Sequence, residues 1–383
     1  MKKVVLFVLA LSLSLTFIAC NSKPRLRILN WGEYINDDVV AQFEELYDVK
    51  VVMSVADSNE LFYSKIKSKT TAYDIVIPSD YMIEKMYDEG MLIKLDYSLL
   101  PNVTEVTYID PVEQIFDSMT QTTITRTGET VDFREWGVPY FYGTSGLIYN
   151  NRIEGLEEAL NEFGWAVYFE SDNHFPNLRR GMYSEAEVAY AVTMFYLDNN
   201  PNVFSNDLLN QSKSVLQDAS FIEWGNDSLK RNIEANNLDI AFTWTGDYLD
   251  RLYIQIEEGK EIDEVRALFD IYIPDTTMVF IDAMVIPYTA KNIEAAHQFI
   301  NYLSDPEIAA QNAEVVGYAV ATVEAFDIIL SYLDSDDHWL RNWALANSLY
   351  YNLEIERTYY PLTAFNAQDI DKINSMIQDV IAK

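Results

Sequence analysis

The chain has 383 residues, with 27 lysines and arginines against 60 aspartates and glutamates, a formal charge of −33. It lacks the surplus of basic groups that neutralises phosphates, which excludes nucleic acid as a partner. One cysteine rules out an internal disulfide or a cysteine-rich metal centre, while 49% hydrophobic content provides for a large core in two domains or one large one.

In chain order, residues 1–19 have the pattern of a secretory signal peptide. Lys2 and Lys3 precede an apolar run from Val4 to Ile18, too short to cross a bilayer comfortably. Cys20 follows Ala19 and resembles the lipobox cysteine of bacterial lipoproteins, although Phe17 stands where leucine is usual. The expectation is an exported protein anchored to a membrane through acylated Cys20, with 20–25 as its tether. The competing reading is an ordinary signal peptide with an incidental cysteine.

Leu26–Leu29 reads as a strand leading into Trp31-Gly32-Glu33-Tyr34. Asn36 or Asp37 caps a helix with Val39, Val40, Phe43 and Leu46 on its apolar face. Val51–Ser54 is a second strand, 59–69 a helix, and 73–78 (YDIVIP) a third strand. Ser79 or Asp80 then caps a helix ending at Gly90. Strand–helix–strand at this spacing predicts a parallel sheet with crossover helices, in which ligands sit beyond the carboxyl ends of the strands. Residues 156–275 read as a second αβ stretch, with a helix near 185–197 and a strand over 238–243 turning at Gly246. A strand over 278–286 and a helix over 292–303 follow, and Asp305-Pro306 opens another helix.

The sequence carries no phosphate-binding, dinucleotide, zinc-protease or nucleophile-elbow motif. His174, His297 and His338 lack ligand spacing, and Asp334–Asp337 lacks the glycine and terminal glutamate of a calcium loop. His297 reads as structural, and neither a metal nor a cofactor is expected. Catalysis by paired carboxylates is open in principle, but nothing selects a pair.

ILNWGEYI (28–35), ADSNELFYSKIKS (56–68), YDIVIPSDYMIEKMYDEGMLIKLD (73–96), WGVPYFYGTSGLIYN (136–150), IAFTWTGDYL (240–249), FIDAMVIPYTAKNIEAAHQFINYLSDPEIAAQ (280–311) and VGYAVAT (316–322) follow one another in a familiar order. Together they resemble the spermidine/putrescine-binding proteins of ATP-driven importers. The resemblance is thin over 151–235 and after 323. It implies an α/β, two-lobed periplasmic-binding-protein fold of type II, each lobe a mixed sheet flanked by helices, with two hinge crossings. On this reading residues 26–143 and 281–325 form one lobe, and residues 144–280 and 326–383 form the other.

Carried over by position, the resemblance implies Trp31, Glu33, Tyr34, Ser79, Tyr81, Glu187, Trp244, Asp247, Phe280, Asp282 and Tyr318 as ligand-binding residues and no catalytic ones. Tyr360 aligns weakly with a further cleft residue. Gly32 replaces a usual hydroxyl residue, Ser184 a usual aspartate and Phe280 a usual tryptophan. With Asp247, these departures lean toward a diamine. The residue types suit such a ligand. Desolvated ammonium groups need carboxylates, because a buried unpaired ion costs several kcal/mol. The methylenes between them suit aromatic walls, where cation–π attraction adds about 0.5–2 kcal/mol per contact.

The expected function is therefore a monomeric, non-enzymatic substrate-binding lipoprotein that delivers putrescine or spermidine to an ABC permease. The rivals are the same fold tuned to another small cation, and a surface adhesin or sensor that reuses it.

Overall fold

A computed structural model describes residues 23–122, 130–331 and 357–382. The signal sequence, Cys20, His338 and Asp334–Asp337 lie outside the described residues.

Strand β1 (Arg25–Asn30) pairs in parallel with β2 (Lys50–Val55), from Arg25 opposite Lys50 to Asn30 opposite Val55. The helix Asp37–Tyr47 connects them, capped by Asn36, whose side chain accepts the Asp38 N–H. Val39 and Phe43 are buried, but Leu46, expected on the same face, is 66% exposed. In this last turn it is Tyr47 that packs, against Phe43 and Tyr302. Strand β3 (Ile75–Val76) lies parallel to β1 and is shorter than the YDIVIP pattern predicts. Asp74 is drawn out of the ladder, its carboxylate accepting the backbone N–H groups of Arg27, Lys291 and Asn292.

The remaining strands are β4 (Leu92–Ile93), β5 (Gly137–Tyr149), β6 (Arg180–Tyr183), β7 (Glu223–Gly225), β8 (Ile240–Trp244), β9 (Asp270–Tyr272), β10 (Thr276–Pro287), β11 (Ala319–Val320) and β12 (Thr358–Pro361). They assemble in the order β2-β1-β3-β10-β5-β8-β6-β7, with β4 and β12 added to β10, and β9 and β11 added to β5. The long strands β5 and β10 give the molecule its two lobes. Strand β5 runs antiparallel to β10 from Gly137 to Thr144, then changes partner and runs antiparallel to β8 from Ser145 to Tyr149. Strand β10 pairs with β12 over Thr276–Val279 and with β5 from Val279 to Val285.

Two hydrophobic cores follow. One gathers Leu26, Ile28, Phe43, Ile75, Phe299 and Ile300 around β1 and the helix Ile293–Leu303. The other contains Tyr168, Tyr190, Phe242, Phe269 and Ile373, and reaches Phe62 and Met82. Trp31 and Trp244 pack against both cores. The helix Ala367–Ile381 rests on the helices Ala186–Tyr196 and Asn206–Ala219, and the helix Val323–Ser331 on Pro306–Val316.

The turn predicted at Gly246 is instead the first turn of the helix Thr245–Glu257. The glycine answers a packing demand there: a Cβ at this position would stand 2.3 Å from the Tyr318 ring. His297 is buried and structural, with Nε2 accepting the Asp96 N–H at 3.0 Å and Nδ1 bonding the Ile293 carbonyl at 2.8 Å. The Asp96 bond requires the ring proton on Nδ1.

Candidate functional site

Asp282 is the centre of the site. It lies on β10 where the pairing with β5 slips: Asp282 faces Phe141 and Ala283 faces Pro139, which leaves Tyr140 as the extra residue of a bulge. Bulges re-aim neighbouring side chains. The Asp282 carboxylate, 4% exposed, accepts the Ser79 hydroxyl on Oδ1 and the Tyr34 hydroxyl on Oδ2, each at 2.7 Å. Burial pushes its carboxyl up to about 6, against the pull of those two hydrogen bonds. A carboxylate has about four acceptor positions, so two hydroxyls leave it able to take a further donor.

The chain sets these partners locally. Ser79 precedes the helix Asp80–Asp88 as its N-cap but makes no side-chain cap bond, because its hydroxyl is turned to Asp282. Asn59 braces it, accepting the Ser79 N–H on Oδ1 and donating to Ser79 Oγ. Tyr34 is buried, edge-on to Tyr318 at 5.0 Å. Trp31 follows β1, and its Nε1–H donates to the Ile77 carbonyl at 2.8 Å.

A second acid, Glu185, immediately precedes the helix Ala186–Tyr196. It accepts from the Tyr81 hydroxyl at 2.6 Å and from the backbone N–H of Asn59 at 3.3 Å, bonding across the cleft. Burial, then the charge of Glu60, pushes its carboxyl well above the usual range. A third acidic group stands where two helices begin. Asp247 lies in the first turn of Thr245–Glu257, and Asp227 precedes Ser228–Glu234.

Asp282, Glu185, Asp227 and Asp247 line one interlobe cavity of about 340 Å³. Its aromatic wall is continuous. Trp244 meets Phe280 at 4.8 Å and Tyr183 at 5.9 Å, and Phe280 meets Tyr318 at 6.0 Å. Met278, Val188 and Leu362 add apolar surface. The cavity thus combines several anionic groups with flat apolar surface.

Of the residues expected from sequence, Trp31, Tyr34, Ser79, Tyr81, Trp244, Asp247, Phe280, Asp282 and Tyr318 line this cavity, and Glu33 and Glu187 do not. Glu33 is exposed, with a positive φ of 52°, and its charge reaches Asp227 and Asp250. Glu187 is buried near Glu60 and Glu185, and burial and those charges hold its carboxyl well above the usual range. Tyr360 packs on Phe195 at 5.9 Å, and among the described carboxyl-terminal residues it is Leu362 that lines the cavity.

Sequence reasoning missed Glu185, although it stands in the same SEAEV segment as Glu187. The signal was its place just before the helix, where a side chain faces the cleft rather than the helix packing. It also missed Tyr183, Asp227 and Arg231, which line the cavity. Ser184, in the place of an aspartate, donates its hydroxyl to Asn226, which in turn reaches the Asp57 carbonyl. Among the described residues, no group of three or more histidine, cysteine or acidic side chains is placed to hold a metal ion.

Two lobes joined by long shared strands, with an acidic and aromatic cleft between them, define a solute-binding protein. The chain belongs to the bacterial extracellular solute-binding protein family, whose model matches residues 29–310. Members of this family bind solutes for ABC transporters and are not enzymes. The putrescine-binding periplasmic protein PotF of Escherichia coli is 27% identical over 310 residues, 78% of each chain. The spermidine/putrescine-binding periplasmic protein 1 of Haemophilus influenzae is 24% identical over 323 residues, covering 79% of this chain and 81% of that one. Among solved structures, the substrate-binding protein PotD of a spermidine/putrescine ABC transporter from Streptococcus pneumoniae has a TM-score of 0.67 at 25% identity, covering 94% of this chain and 99% of that one. Among the described residues, no helix is long and apolar enough to cross a membrane.

Proposed function

We propose that this protein is the substrate-binding lipoprotein of an ABC importer, tethered through Cys20, that closes around putrescine or spermidine and delivers it to a permease. The observation that carries the ligand class is buried Asp282, held by two hydroxyl donors and facing an aromatic cavity with further acids beyond it. An ammonium at Asp282 gains a charge-assisted partner in a site where an unpaired ion costs several kcal/mol. The methylenes lie along Trp244 and Phe280, and the second ammonium reaches Asp227 and Asp247. Closure bends β5 and β10 where β5 changes partner, and the contacts made only in the closed form drive it. Names of the curated relatives support the same ligand class.

Arg231 on the cavity wall favours one second reading, an ω-amino acid whose ammonium sits at Asp282 and whose carboxylate meets the guanidinium. Calorimetry on ligand-stripped protein with putrescine, cadaverine, spermidine and 4-aminobutanoate separates the two. The proposal expects heat with the amines and none with the amino acid. Binding of the amino acid alone supports the second reading, and no heat with any amine removes the polyamine assignment.

A further inference from the structure

Behind the cleft acids lies a cation that the binding scheme does not use. Lys230 is in the helix Ser228–Glu234, with its side chain 5% exposed. Its Nζ is 3.1 Å from Asp247 Oδ1, 3.5 Å from Asp250 Oδ2 and 4.0 Å from Asp227 Oδ1. Asp227 and Asp247 line the cavity, whereas Lys230 and Asp250 do not, so the ammonium pairs with the lining carboxylates without itself lining the ligand space. Burial opposes its charge, but Asp247, Asp227 and Asp250 outweigh burial and hold the ammonium above the usual lysine range. At Asp282 and Glu185 the situation differs. Among the described residues, neither Asp282 nor Glu185 forms an ion pair with a lysine or arginine; their partners are hydroxyl, amide and backbone groups and, for Glu185, the Glu60 carboxyl.

We propose that Lys230 is a specificity-determining residue, a resident ammonium that weakens this end of the cleft for multiply charged ligands and so favours a diamine over a triamine. The inference rests on the polyamine reading. Asp227, Asp247, Asp250 and Lys230 together carry two negative charges, and three without the lysine; Glu33 and Arg231 also act on Asp227, and Glu33 and Arg251 on Asp250, and these are the same with or without Lys230. Each ligand nitrogen placed here feels the lysine's repulsion separately, so the penalty grows with the number of ligand charges at this end. Asp247 is also already engaged by Lys230, so a second ligand ammonium shares it rather than having it alone.

The test is calorimetry with putrescine and spermidine on wild type, Lys230→Met and Lys230→Arg. Methionine keeps most of the apolar stem and drops the charge, and arginine keeps the charge. The expected result is a shift of the spermidine-to-putrescine affinity ratio by about tenfold toward spermidine in Lys230→Met, with the ratio retained in Lys230→Arg. A merely structural lysine would lower both affinities and leave their ratio unmoved, which overturns the inference. Should Lys230→Met fail to fold, Asp250→Asn replaces it. Set against Asp250→Asn/Lys230→Arg, whose retained cation should keep the same ratio, and against wild type, the single variant should move the ratio toward putrescine; an unmoved ratio in Asp250→Asn, or a ratio that Lys230→Arg changes as much as it does, overturns the inference. Wild type that binds neither amine removes the polyamine reading and this inference with it, whereas wild type that binds both, with the ratio fixed in the variants, removes the lysine's role alone.

Discussion

At Asp282, stability and binding have opposite requirements. Burial pushes its carboxyl up to about 6 in the folded protein, against about 3.9 in an unfolded chain. Between those values the folded state holds more protons, so this group's contribution to stability falls as pH rises through the window and levels off above it. Binding has the reverse sign. An ammonium favours the carboxylate, so diamine affinity should rise with pH up to about 6, and fall below it by as much as about tenfold per unit. Calorimetry at pH 5, 6 and 7.5 checks this, and a flat profile would remove Asp282 from the ammonium contact. Asp282→Asn should therefore leave the melting temperature of the empty protein at pH 7.5 unchanged or raised, while weakening diamine binding by about 3 kcal/mol, more than a hundredfold. Asp282 was legible because an aromatic–x–acid trio, Phe280 to Asp282, falls within a longer motif. Spacing alone does not separate Glu187, named from the sequence, from Glu185, which was not. Two acids in one short segment differ only in whether each precedes or enters the helix, and that fixes which one faces the cleft.

Among the elements, the short strands of the first lobe and their intervening helices follow from apolar patterning and caps. The strand that joins the lobes does not. Strand β5 is buried along its whole length, so it shows neither the alternation of a half-exposed strand nor a helical period. Its change of partner at Thr144 and Ser145 depends on contacts distant in sequence. Gly246 shows the same limit. A glycine after a strand reads as a turn, yet here it admits the Tyr318 ring against a helix. Gly246→Ala should push that ring from its place in the aromatic wall. We expect a stability loss of about 1–3 kcal/mol in chemical denaturation, accompanied by weaker ligand binding. Full stability with unchanged affinity would show that Tyr318 has room to move and does not shape the wall.

For the whole molecule, the charge of −33 proved a poor guide to the site, since only a few of the 60 acids line the cleft. The remainder produce a field that attracts cations and is screened within about 8–10 Å at physiological salt. On the proposed reading, specific recognition comes from acids and aromatic rings that line one cavity, and from strands that let the lobes close. A crystal structure of the protein with putrescine tests this most directly. The account predicts one ammonium within hydrogen-bond distance of Asp282, the methylenes against Trp244 and Phe280, and the other ammonium at Asp247 or Asp227. An empty cleft at saturating putrescine, or a ligand bound without contact to Asp282, would contradict it.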